Sequence, residues 1–251
     1  MNELDELMEV SLLAGKIMLM SGAETYRVED TMRRLAQSFA AKTSHAFVTP
    51  TGIILSVGGA DGTKEKTTFI RITDRSNDLH KVAMVNHVSR EASAGKLSLH
   101  EALTQLKAVD KAETSFPEWV QVSAAAFVSA AFLLMFDGSW SDAAPAFITG
   151  GTGYYLFLRF QKGLHVRFFS ELFAAFSIGV IARLFVYVSF GSALDLIIIG
   201  SIMPLVPGVL ITNAVRDLMA GHLVSGLSRG AEAFLTATAI GAGIAIVIAW
   251  I

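Results

Sequence analysis

Charge is spread unevenly along this chain, and that unevenness limits what it can fold into. Residues 1–117 hold 14 of the 20 Lys+Arg and 15 of the 22 Asp+Glu. Residues 118–251 hold the rest and carry five apolar runs, at 119–136, 143–160, 168–190, 193–211 and 231–251. A helix needs about 20 mostly apolar residues to cross a bilayer, and helices apolar all round are buried in lipid or in a large core. The pattern predicts an α-helical membrane protein. Five transmembrane helices (118–251) follow an N-terminal α+β domain (1–117), each part long enough for its own core. The mean hydropathy of +0.53 agrees with a membrane class.

The short loops predict orientation. The loop at 137–142, DGSWSD, has two acids and no Lys or Arg. The next carries Arg159, Lys162 and Arg167, the loop near Gly191 has no charge, and the last carries Arg216 and Arg229. Cytoplasmic loops are enriched in Lys and Arg. The second and fourth loops are therefore expected in the cytoplasm, with the N-terminal domain cytoplasmic and the C-terminus external. Phe116, Trp119, Trp140 and Trp250 are placed to act as interfacial anchors.

Within residues 1–117 the order reads ααβββαα. Apolar residues at helical spacing predict a first helix to about Met20 and a second over 23–40. Strands are expected near 45–49, 53–57 and 67–73, with GGADGT (58–63) as a turn. Asn77 or Asp78 should cap a helix closed by Gly95, and Ser98 with Glu101 has the spacing of a capping box for the last helix. This order indicates an α+β domain containing a small antiparallel sheet.

Several chemistries are disfavoured. Net charge is −2, which does not point to nucleic acid. There is no cysteine, so no disulfide, Cys-ligated zinc or Cys nucleophile. No Walker loop, dinucleotide glycine pattern or HExxH is present, and no metal or cofactor is expected. Ser21, Ser56 and Ser76 lack a nucleophile-elbow context. The N-terminus, MNELDELMEV, has no basic start before an apolar run and does not read as a signal peptide.

The fourth run is interrupted by Pro204, Pro207 and Gly208 before Asn213, Arg216 and Asp217 follow. Proline removes a backbone donor and clashes with the preceding turn, so a helix should break here. A broken span close to charged groups is a candidate translocation site. Asn213, Arg216 and Asp217 lie three and four apart and share one helix face. Arg183 sits well inside the third run, where a charge is expensive and faces a cavity or a partner. Gly150, Gly151 and Gly153, and Ala237, Gly241 and Ala245, fit close helix packing.

Two passages carry a resemblance. SGAETYRVEDTMRRL (21–35) and PLVPGVLITNAVRDLMAGHLVSGLSRGAEA (204–233) are similar to the two signatures of the threonine/serine exporter family. The matching positions are Ser21, Gly22, Glu24, Tyr26, Arg27 and Glu29, then Pro204, Pro207, Gly208, Asn213, Arg216, Asp217, Gly221, Gly226, Arg229 and Glu232. The resemblance implies a bacterial inner-membrane protein exporting threonine, serine or a related organic acid such as succinate. Longer family members have about twice as many spans. Five spans resemble the split form, in which a separate small membrane protein supplies the second half of a hetero-oligomer. The expected translocation residues are Pro204, Pro207, Gly208, Asn213, Arg216, Asp217, Arg183 and Glu232, with Ser21 to Glu29 as a gating face. Two alternatives are a membrane-tethered enzyme with hydrolase-like chemistry in residues 1–117 and a metabolite-binding sensor or scaffold.

Overall fold

The computed structural model describes residues 3–59, 65–163 and 168–250, with only the backbone of Trp250. Most of the GGADGT turn, Arg167 and the Trp250 side chain lie outside the described residues. The chain is mostly helical, with one small antiparallel sheet, and divides into two compact units. One is Met1–Ser115 with Val209–Gly230; the other is Phe116–Gly208 with Ala231–Ile251.

In the first unit, α1 (Glu3–Met20) buries Leu7, Val10, Ala14, Ile17 and Met18. The three-and-four spacing aligns them on one stripe. Helix α2 (Thr25–Ser38) buries Val28, Met32 and Leu35 in the same way. Strands β1 (Thr43–Thr49), β2 (Gly52–Gly58) and β3 (Lys66–Arg71) form a three-stranded meander in order β1-β2-β3. Side chains alternate along β2, so Ile53, Leu55 and Val57 enter the core. Phe47, Ile54 and Phe69, paired across the three strands, stand exposed on the opposite face.

Helices α3 (Leu79–Ser93) and α4 (Leu99–Lys111) complete the core through Val82, Val85, Ala102 and Leu106. Asp78 caps α3 by accepting from the Lys81 N–H, and Ser98 with Glu101 forms the expected capping box on α4. Gly95 ends α3 at φ +69°, a left-handed conformation that costs glycine nothing.

The second unit holds α5 (Glu118–Met135), α6 (Trp140–Gly163), α7 (Phe169–Tyr187) and α8 (Leu194–Ile202), together with the Ala231 onward part of α10 (Leu223–Trp250). Among the described residues three helices are long and apolar enough to cross a membrane: α5, α7 and α10 over Leu223–Ala249. A fourth is added when α8, its 3₁₀ turn Met203–Leu205 and α9 (Gly208–Met219) are taken as one bent span. Helix α6, which contains the expected run 143–160, is 24 residues long but lies outside that set. Its TGGTG segment and the buried Asp142 dilute its apolar character.

Helix packing in this unit depends on small residues. A Cβ on Gly200 would sit 2.7 Å from the Ser129 carbonyl oxygen, and one on Gly243 2.4 Å from that of Leu172. Gly150 and Gly153 lie against Ser129 and Ile178 as tightly. The stripe Ala237–Gly241–Ala245 corrects an expectation. It faces outward, and Ala233, Ile240, Gly243 and Val247 face the bundle instead. Both stripes on α10 satisfy helical spacing; the contact of Gly243 with the Leu172 backbone selects the second.

The break after α8 follows from the prolines. Val206 is extended, at φ −61° and ψ 130°, as a residue before proline must be. The helix restarts at Gly208 as α9. Asp142 is fully buried and accepts from the Ser192 N–H (2.7 Å), the Ser192 hydroxyl (2.9 Å) and the Ala193 N–H (3.3 Å), which secures the chain where α8 begins.

Candidate functional site

A helix leaves its first N–H groups without intrahelical partners. At the start of α2 the adjacent Glu24 makes no side-chain cap. The cap comes from α9. Asp217, fully buried, accepts from the Thr25 N–H and from the Thr25 hydroxyl, each at 3.0 Å. A carboxylate is well placed there, because the helix N-terminus carries partial positive charge.

The same helix face does more. Asn213, one turn earlier, donates to the Gly22 carbonyl oxygen at 2.9 Å. Arg216 meets Glu24 at 2.5 Å, and Glu24 also takes Arg27 at 3.1 Å. From α10, Arg229 donates to the Ala23 carbonyl oxygen at 2.8 Å and lies 3.4 Å from Asp217. Ser225 donates to the Val48 carbonyl oxygen, while Glu29 accepts from the Val48 N–H and stands 3.8 Å from His222. Two carboxylates, Glu24 and Asp217, thus meet three guanidiniums, Arg27, Arg216 and Arg229, while Glu29 faces His222. Buried charges persist only when paired and hydrogen-bonded in this way.

Burial pushes the Glu24 carboxyl up, but its backbone hydrogen bond and the Arg216 and Arg27 guanidiniums outweigh this and hold it below the usual carboxylate range. Asp217 and Arg229 are sealed, whereas the Arg216 side chain is 56% exposed and that of Arg27 40%. The cluster therefore has a closed ionic floor and two guanidiniums open at the surface. Guanidinium groups pair with carboxylates in bidentate fashion.

Both signature stretches contribute to this cluster. Ser21 is buried beside it, Gly22 takes φ +86°, and Glu24, Arg27, Glu29, Asn213, Arg216 and Asp217 take part directly. Tyr26 is exposed. Pro204, Pro207, Gly208, Arg183 and Glu232 belong to the other unit: Pro204 in the 3₁₀ turn, Pro207 and Gly208 at the break, Arg183 on α7 and Glu232 on α10. Thr25 and Ser225 were not foreseen. Thr25 had no signal of its own in the sequence, since the spacing starts the second helix near Ala23 and only the structure puts the first turn at Thr25.

Helix α9 and the start of α10 are reversed relative to a helix on a water-soluble protein. Their polar side chains Asn213, Asp217, Ser225 and Arg229 are buried. Val209, Ile211, Val215, Leu218, Met219, Leu223, Val224 and Leu227 are exposed. Apolar outside and polar inside is the distribution that lipid permits and water disfavours.

Long apolar helices and a helix pair bent at Pro204–Pro207 are features of a multi-pass membrane protein, and its relatives in sequence place it in the transporter class. The chain belongs to the threonine/serine exporter family. The family's sequence model, described as "Putative threonine/serine exporter", matches residues 9–250. A "Probable threonine/serine exporter" of Mycobacterium tuberculosis is 21% identical over 96% of this chain, which spans only 45% of that protein's length. A "Probable succinate transporter subunit YjjP" of Escherichia coli K12 is 27% identical over 93% of this chain and 91% of its own length. The Klebsiella aerogenes protein of the same description is 28% identical over 89% and 86%. No solved structure matches the chain.

Proposed function

We propose that this chain is one subunit of a secondary transporter in the bacterial inner membrane. It exports a small carboxylate-bearing solute, threonine or serine or a dicarboxylate such as succinate. The observation that carries this reading is the Asp217–Thr25 contact with its surrounding ion pairs. It joins the helix that follows the broken span to the first signature, so that a change at one is felt at the other.

In this reading the protein has five spans, with α6 as the second, a cytoplasmic N-terminus and an external C-terminus. The basic residues of the loops after the second and fourth spans support that orientation. So does the grouping of Arg216 and Arg229 with residues 1–115. The break at Pro204–Gly208 exposes backbone groups along the solute's route. Arg216 accepts the solute carboxylate in exchange for Glu24, and Arg183, Glu232 and Asn213 are further candidates along the path. The Ser21–Glu29 segment gates access. Energy comes from the proton or the membrane potential, since the sequence has no nucleotide-binding motif. A separate small membrane protein completes the transporter as a hetero-oligomer, a reading supported by the relatives named as subunits.

Efflux of labelled threonine, serine and succinate from cells with and without this chain and its candidate partner tests the proposal. Export that needs both proteins is expected. Equal efflux in their absence, or full transport by this chain alone in liposomes, rejects the corresponding part.

A further inference from the structure

We infer that the first unit holds a small-solute site separate from the ionic cluster, built to take a zwitterionic amino acid and to refuse a dicarboxylate. The site is a half-open cavity of about 320 Å³ between the end of α1, the start of α3 and the end of α4. That volume lies within the range of ligand pockets, roughly 300–1,000 Å³. Half of its lining is polar, contributed by residues that include Ser21, Asp78, Lys81, Asp110, Glu113 and Thr114.

The roles divide by what is already engaged. Asp78 caps α3 and takes the Thr114 hydroxyl, so its oxygens are committed. Asp110 is held loosely, 3.6 Å from Lys16 and with its side chain 38% exposed, and Glu113 is exposed. Both lie at the C-terminal end of α4, where the helix dipole favours a positive group. They form the ammonium end of the site. Lys81, held by the Asp110 carbonyl oxygen at 3.0 Å, retains two N–H donors for a carboxylate. Ser21 is 3% exposed and lines the same wall, adding a hydroxyl.

The charge count selects the ligand. Three carboxylates, Asp78, Asp110 and Glu113, line the cavity with one ammonium, Lys81, and Lys16 stands 3.6 Å from Asp110, so the site keeps an excess of negative charge. An amino acid brings its own cation to the acidic end. A dicarboxylate brings two more negative charges and leaves Asp110 and Glu113 repelled. Ser21 belongs to the first signature, which ties this cavity to the segment that also holds the Glu24 cluster.

The inference rests on the transporter reading only for its choice of probe. The test is calorimetric titration of the purified full chain in nanodiscs with L-threonine and, separately, succinate. Threonine is expected to bind, and any saturable succinate heat to come from the Arg216 cluster and to be unchanged by Lys81→Met. Asp110→Asn should weaken threonine binding about tenfold or more, the loss expected for one charge-assisted hydrogen bond. Glu113→Gln should act in the same direction and, being at an exposed position, keeps the test open if Asp110→Asn does not fold. Threonine affinity unchanged in both variants, no threonine binding, or succinate binding that Lys81→Met abolishes overturns the site. Efflux measured in parallel separates the two readings. Export with unaltered binding in the cavity variants sinks only the cavity; cavity-dependent binding without export of any solute sinks only the transporter.

Discussion

Asp217 caps helix α2 at Thr25 across 192 positions of sequence, accepting from both the backbone N–H and the hydroxyl of one residue. No residue next to Thr25 performs that task. The carboxylate is also the partner of buried Arg229, so one side chain serves two elements.

Removing it should therefore cost more than a surface ion pair. Asp217→Ala is expected to destabilise the first unit by about 3 kcal/mol, the scale for breaking a buried pair. Asp217→Asn keeps one acceptor and should cost less. Denaturant melts in detergent, with Thr25→Val as the second arm of a double-mutant cycle, measure the coupling. Additive effects of the two changes would contradict the shared cap.

Glu24 makes stability depend on acid. Its folded carboxyl lies below its unfolded value, so its contribution is fully present above the ordinary glutamate pKa, about 4.3. It is lost as pH falls through the lowered folded value. Melting temperatures of wild type and Glu24→Gln should differ at neutral pH and converge under acid. A gap that widens on acidification would reverse the assigned sign.

Arg216 is the exposed guanidinium of the cluster, and its pair with Glu24 is worth under about 1 kcal/mol to folding. Arg216→Ala should leave the protein in the membrane at normal abundance and abolish efflux. Quantified immunoblots of membranes beside an efflux time course decide this, and normal efflux would remove Arg216 from the solute path.

The outward face of α9 and early α10 is expected to meet lipid. The chain has no cysteine, so single-cysteine variants need no background removal. Spin labels at Val215, Leu223 and Leu227 should be relaxed by oxygen and shielded from a water-soluble nickel reagent, with Ser225→Cys shielded from both. Nickel access at the three outward positions would place that face in water.

Gly200→Ala and Gly243→Ala force a methyl group against backbone oxygens at 2.7 and 2.4 Å. Each should cost about 1–3 kcal/mol through overpacking. Gly241→Ala, with nothing within 4 Å, should be neutral. Equal melting temperatures for all three would show that the helices approach elsewhere.

What the sequence determined by itself was everything set within a few residues of chain. The capping box at Ser98–Glu101, the stop at Gly95 and the break at Pro204–Pro207 each depend on local sterics or local hydrogen bonds. Spacing likewise put Asn213, Arg216 and Asp217 on one face. The direction of that face was decided by tertiary structure alone. An isolated α9 offers its polar side to water, and only the open N-terminus of α2 and the carbonyls of Gly22 and Ala23 give it a reason to turn inward. The choice between two small-residue stripes on α10 was settled in the same way. Such contacts depend on groups brought together from far along the chain, and no period or cap within one segment encodes them.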